Sequence, residues 1–166
     1  MQRRNVMEDL LLNELRDLYN AENQLIEVLP QLARATPVDN LKIFFLNHLH
    51  DTLHQKDRLV IISRIMGKDI TGITCAVMQE LIAEGAEIIQ AYEDTFLLNT
   101  ALISIALRIE HYEIAAYGAS VNYADLLLED EVSSILSASL KEKKEAELKL
   151  CKLASQSIQI QEDAIV

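Results

Sequence analysis

The chain is 166 residues long and half apolar, with only four Gly, two Pro and no Trp. That length fits one domain with its own core, and the scarcity of turn residues excludes a many-stranded β fold, which must turn every few residues. A net charge of −11 excludes nucleic acid, whose phosphates are bound through Lys and Arg; it suits a freely soluble protein or one that draws cations.

A first helix is expected from about Val6 to Ala35. Leu11, Leu15, Leu18, Leu25, Leu29 and Leu32 recur at alternating four- and three-residue steps, the seam of a helix packed in a bundle. Pro30 inside this seam predicts a kink or local break. Thr36-Pro37 closes the helix and opens the next. The second helix is expected from about Val38 to Met66, with Leu41, Phe44, Phe45, Leu59, Ile62 and Met66 on its apolar face and Gly67 as its stop. A loop at Lys68–Gly72 leads to a shorter third helix, about Ile73 to Tyr92. Glu93-Asp94-Thr95 reads as a break and a new N-cap. A fourth helix then runs from about Thr95 to Leu127, and a fifth from about Glu131 to Ser157. The whole chain, 1–166, reads as one domain with frayed tails at 1–5 and 158–166. The order long, long, short, long, long predicts an all-α fold. It matches an antiparallel four-helix bundle whose two hairpins are joined by one long crossover containing a shorter helix, as in ferritin-like folds.

The informative residues are acids on inward faces. The first helix's seam passes through position 22, and there it carries Glu22 where every other position is Leu. A carboxylate inside a leucine stripe must be protonated, paired or metal-bound, unless a small rotation lets it reach an edge. On the fourth helix, Ile103, Ala106, Glu110, Glu113, Tyr117, Ser120 and Ala124 form one stripe. Glu110 and Glu113, three apart, share its face. The second helix offers Asp51 and His54 at i and i+3, the spacing at which Glu-x-x-His supplies two ligands in di-metal carboxylate bundles. His48 and His50 crowd the same helix, where a surface imidazole is commoner than a ligand. The last helix's seam is taken through Leu136, Leu140, Lys143, Glu147, Leu150 and Ala154. Lys143 there is unfavourable for a cation site, and its ammonium would instead pair with Glu22 or Glu110. Acids near the middle of all four long helices are what two iron or manganese ions need, since hard cations prefer oxygen ligands.

Cys75 and Cys151 have no metal-ligand spacing and read as buried thiols in a reducing compartment. No signal-peptide core and no long uncharged apolar run is present. A cytoplasmic protein without a membrane segment is expected.

The stretches Leu15-Arg-Asp-Leu-Tyr-Asn-Ala-Glu-Asn-Gln-Leu25, His48-Leu-x-Asp-Thr52 with Gln55 and Arg58, Glu110-His-Tyr-Glu-Ile-Ala-Ala-Tyr-Gly118 and Leu140-Lys-Glu-Lys-Lys-x-x-Glu-x-Lys-Leu150 resemble the YciE/YciF family, and its YciF branch more closely. The resemblance spans about Asp9 to Ala154. It implies a ferritin-like, rubrerythrin-related bundle, a homodimer associated with bacterial stress responses. It also implies a di-metal centre with no settled reaction. By motif position the implied metal ligands are Glu22, Asp51, Glu110, Glu113 and Glu147. Three positions depart from the family pattern: Asp51 stands for Glu, Glu147 for Asp, and Lys143 for a second acid after Glu142.

Two functions follow. In one, the carboxylates hold two iron or manganese ions that react with oxygen or peroxide. In the other, a metal-free dimeric helical protein uses Lys143 and the acids as a buried polar network. Glu22, Glu110 and Glu113 are expected to face one another, Lys143 to bond at least one inward Glu, and metal occupancy to be weak or single. Apolar residues on a further face, Ile43, Leu46, Ile105 and Ile109, are expected to form the dimer contact.

Overall fold

A computed structural model of the chain describes residues 2–93, 95 and 97–165, with side chains described within 4–156. The described residues form five helices: α1 (Gln2–Ala35), α2 (Asp39–Met66), α3 (Ala76–Tyr92), α4 (Leu98–Leu127) and α5 (Asp130–Ile165). The leucine seam of α1 is buried throughout, from Leu11 to Leu32. Pro30 lies inside α1 without ending it. Leu29 and Leu32 on either side are both packed in the core, and that packing outweighs a helix-interior proline's cost of about 3 kcal/mol.

Boundaries differ from expectation where loop side chains claim the backbone. The loop after α2 extends to Cys75: Asp69 accepts from the Thr71 N–H and hydroxyl, and Cys75, not Ile73, caps α3, its Sγ accepting from the Met78 N–H. Thr95 does not cap α4. Its hydroxyl donates to the Tyr92 carbonyl and closes α3, so α4 starts at Leu98; Asp94 of the expected break lies outside the described residues. The helix of α5 continues past the expected end at Ser157. Of the tails expected to fray, Met1 and Val166 lie outside the described residues, as do the side chains of 2–3 and 158–165.

Two helices end in the same hydrogen-bond pattern with different residues. After α2, Gly67 takes the left-handed conformation (φ 61°) while its N–H reaches the Arg64 carbonyl and the Lys68 N–H that of Ser63. After α4, Leu128 does the same at φ 60°, with Leu128 N–H to Asp125 and Glu129 N–H to Ala124. This double-bonded helix stop favours glycine.

The long helices form a square. α1 packs on α2 and α4, and α5 packs on α4 and α2, which leaves α1/α5 and α2/α4 as the diagonals. Thr36 at the end of α1 hydrogen-bonds Asn99 at the start of α4, and Arg4 pairs with Glu129 at the other end, so these neighbours are antiparallel. α3 lies across α1 and α4. Its Gly85 admits Ile105 to 3.8 Å of where a Cβ would stand. Ile105 and Ile109, expected on an outer dimer face, are therefore buried under the crossover; Ile43 and Leu46 are exposed. Cys75 is buried, but Cys151 is exposed, contrary to expectation. No described helix is long and apolar enough to cross a membrane.

Candidate metal centre

The seam of α2 follows the four-three rhythm through Leu41, Phe45, His48, Thr52, Gln55, Leu59 and Ile62, all buried. That of α5 runs through Val132, Leu136, Ser139, Lys143, Ala146 and Leu150, also buried. With Glu22 on α1 and Glu110, Glu113, Tyr117 and Ser120 on α4, these two seams put a compact polar layer at the middle of an otherwise apolar bundle.

The layer ties both diagonals of the square. Across α5 and α1, the Lys143 Nζ lies 3.3 Å from Glu22 Oε2, and it lies 2.8 Å from Glu113 Oε1 on α4. Lys143, Glu22 and Glu113 each have a relative exposure of 0%. Across α2 and α4, His48 Nε2 lies 2.9 Å from Glu110 Oε1. The Tyr117 hydroxyl donates to Glu22 Oε1 at 2.7 Å. Glu110 Oε2 and Glu113 Oε2 are buried without a hydrogen-bond partner, and so are the Thr52 hydroxyl and Gln55 Oε1. Such orphaned oxygens are costly unless something further is bound to them.

The charges set one another. Burial alone would lower the Lys143 pKa, but Glu113, Glu22 and Glu110 outweigh it and hold the group as an ammonium. Burial pushes the Glu113 carboxyl well above the usual carboxylate range, helped by Glu22 and Glu110 and opposed by Lys143. Burial also opposes the Glu110 charge, yet His48 and Lys143 prevail and its pKa is lowered. Burial and the neighbouring Glu22 raise Tyr117, which therefore donates as a neutral phenol.

Of the five expected ligands, Glu22, Glu110 and Glu113 meet in this layer. Asp51 and Glu147 do not. Asp51 is half-buried and lines an outer groove of about 300 Å³ between α2 and α5, with Asn47, Lys149 and Lys152. Glu147 points outward and pairs with His111 at 2.6 Å. Each sits one helical position off its seam, which swings a side chain by roughly 100°. Glu142 is likewise outside the layer: Arg58 grips it with two hydrogen bonds of 2.6 and 2.7 Å, and Gln55 donates to it at 2.9 Å. His54 is exposed, and its ring contact is His50.

The residue the sequence reading passed over is His48. Among the described residues, His48, Glu110 and Glu113 form the group of His and acid donors close enough to share an ion, with one ligand atom from each within 4.8 Å of the others. His48 lines both the outer α2/α5 groove and the internal space beside Glu110. Its ring stacks on Phe44, centroids 5.7 Å apart and 12° from parallel.

The polar run of α1 around Asp17 has a separate job. Asn20 accepts from the Cys75 N–H at 2.8 Å, Gln24 donates to the Cys75 carbonyl at 3.1 Å, and Asp17 accepts from the Cys75 thiol and the Tyr112 hydroxyl. This polar stripe of α1 anchors the start of the crossover helix. Tyr112 is thus engaged there, not at the central layer.

Comparison with known proteins agrees with this architecture. The family described as Domain of unknown function (DUF892) matches residues 6–162. Protein YciF of Escherichia coli K12 is 35% identical over 153 residues, covering 92% of each chain. The crystal structure of the E. coli stress protein YciF superposes with a TM-score of 0.89 at 34% identity, over 92% of this chain and 97% of that one. YcfI from Rhodopseudomonas palustris superposes with a TM-score of 0.84 at 35% identity, over 87% of this chain and 92% of that one.

Proposed function

Because the chain belongs to the DUF892 family and is a relative of the stress protein YciF, we propose that it is a bacterial stress protein whose central site has room for one metal ion and no longer for two. The observation that carries this is the fully buried Lys143 ammonium between Glu22 and Glu113. Two ions need carboxylates from all four helices. Here α5 offers an ammonium, α2 offers Thr52 and Gln55 at its innermost positions, and Asp51 and Glu147 point elsewhere. A cation placed beside Lys143 is repelled, and the missing acid removes two donor oxygens.

One divalent ion fits better. Once a bound ion displaces the proton that burial favours on Glu113, the three carboxylates against the Lys143 ammonium leave two net negative charges, which one divalent cation cancels. His48, Glu110 and Glu113 would hold it, and Glu110 Oε2 and Glu113 Oε2 would gain the partner they lack. Bound iron or manganese would supply one-electron chemistry toward oxygen or peroxide. The chain's own part is to keep water out and to position Glu22 and Glu113: Tyr117 and Lys143 fix Glu22, and Lys143 fixes Glu113. Homodimerisation belongs to the same reading, through the outer face of α2, where Ile43, Leu46, Leu53, Ile61 and Ile65 are exposed; light scattering checks it.

The test is Mn2+ content. Manganese suits carboxylates and is the weakest of the divalent series at imidazole pairs, so it reports the core site. Protein loaded with Mn2+ and desalted is expected to hold at most one ion per chain, and Lys143→Glu to raise uptake toward two. Two ions on the unmodified chain, with no change in Lys143→Glu, would overturn the reading. No ion on either would favour the metal-free polar network, in which Lys143, Glu22 and Glu113 satisfy one another.

A further inference from the structure

We propose that His50 and His54, on the outer face of α2, form a second and separate metal site that chelates a borderline divalent transition ion such as Ni2+, Zn2+ or Cu2+. The two residues are four apart on one helix, so both rings stand on one face, one turn above the other. Both are exposed. Their rings are 4.5 Å apart between centroids and nearly perpendicular, at 87°. The atoms that meet are the two Nε2 nitrogens, 3.2 Å apart.

That distance is the bite of a chelate. Imidazole nitrogens bind zinc at about 2.0–2.1 Å, so two of them 3.2 Å apart subtend about 100° at the ion. This lies between the roughly 90° of an octahedral or square site and the roughly 109° of a tetrahedral one. Little side-chain movement is needed. Two His at i and i+4 on a helix also form the paired ligands of helical zinc motifs. Without an ion, one ring must donate to the other. With one, both nitrogens present lone pairs to the metal, and its remaining positions stay open to water.

The site differs from the central layer in donor set and exposure. It is nitrogen-only and exposed, whereas the layer is two carboxylates to one imidazole and buried. Paired neutral imidazoles favour late first-row ions, and carboxylates shift the preference toward harder ones. The pair lies on the face that exposes Leu46, Leu53 and Ile61. If that face joins two copies, four imidazoles surround one ion and the stoichiometry falls to one per two chains.

Ni2+ alone is the probe, titrated calorimetrically into the full chain, with light scattering on the same samples. Beyond any ion held in the central layer, one ion per chain, or one per two chains with a doubled mass, is expected at this pair. His50→Ala and His54→Ala should each weaken this binding about 100-fold, the loss expected when a two-point attachment becomes one-point. Both residues are exposed, so helical circular dichroism should not change. His111→Ala, which removes an exposed imidazole on α4 outside both sites, should leave the Ni2+ isotherm as it was. No Ni2+ binding up to millimolar concentration, or binding unchanged by His54→Ala, would overturn the proposal.

Discussion

Replacing Lys143 by Met removes the ammonium and keeps a side chain of similar length. At an effective dielectric of about 20, the contact at 2.8 Å attracts with about 6 kcal/mol and that at 3.3 Å with about 5 kcal/mol. Desolvation of the three groups takes back most of this, so the pairing itself is not where the stability lies. The cost of the substitution lies in what stays behind: Glu22 and Glu113, at 0% exposure, lose their counter-charge. Breaking a buried pair from one side costs about 3–5 kcal/mol, and for a domain of this size that lowers the Tm by about 6–20 °C. The pH dependence gives a second readout. Glu113 already has its pKa raised in the folded state, and without Lys143 it rises further. A carboxyl raised in this way favours folding below its unfolded pKa and loses that contribution as pH rises through the folded pKa. The deficit of Lys143→Met should therefore be smaller at pH 5 than at pH 8, and Glu113→Gln added to it should recover part of the loss. The chain has no Trp, so urea unfolding is followed by far-ultraviolet circular dichroism, in chelator to exclude metal. A change below about 1 kcal/mol at pH 8 would refute the argument, because it would mean that Lys143 reaches solvent or that both carboxyls are already neutral.

Two further outcomes follow from separate features. Leu128 is 80% exposed and holds φ 60° at the end of α4, a conformation that costs a branched residue about 1–2 kcal/mol. Leu128→Gly should raise the Tm by a few degrees, and an unchanged or lower Tm would contradict the strain. Cys75 is fully buried with its thiol pKa raised by burial, while Cys151 is exposed. A thiol reagent should therefore titrate one group quickly in the native protein and the second only after unfolding; two fast thiols would mean that the crossover opens readily.

The bundle was legible because its seams are long and regular. Leucine at every seam position of α1 except Glu22 marked both the helix and its anomaly, and the α4 stripe through Glu110, Glu113 and Tyr117 is buried as written in the sequence. On the other two helices the acids Asp51 and Glu147 lie beside the buried seam, not on it. On α2 the apolar ends of the seam, Leu41, Phe45, Leu59 and Ile62, already fix its phase, and counting four and three between them lands on His48, Thr52 and Gln55. Asp51 has the chemistry of a ligand, but the period passes through Thr52 beside it. On α5, Leu136, Lys143 and Leu150 are common to two adjacent phases. Taking Leu140 and Glu147 in place of Ser139 and Ala146 rotated the outer positions but left Lys143 correct. Small buried residues such as Ser139 and Ala146 carry little hydrophobic signal, so the sequence alone does not choose between the phases. The His50–His54 contact depends on two ring torsions and has no sequence signature beyond its spacing.

If the central layer holds an ion as proposed, the stacking of Phe44 on His48 bears on how fast that site fills and empties. His48 stands between the α2/α5 groove and Glu110, so an ion arriving by that groove passes a ring that is clamped by an aromatic neighbour on one side and a carboxylate on the other. Passage would then wait on local loosening of α2 rather than on diffusion, and departure on the same event with the ion's ligand bonds to break as well. Occupancy in a purified sample would then record which metals surrounded the chain while it folded, and equilibration in a new buffer would take far longer than mixing. Shaving Phe44 to Leu should shorten that memory while leaving every ligand in place, which makes the rate of exchange, and not the amount bound, the quantity that this aromatic pair controls.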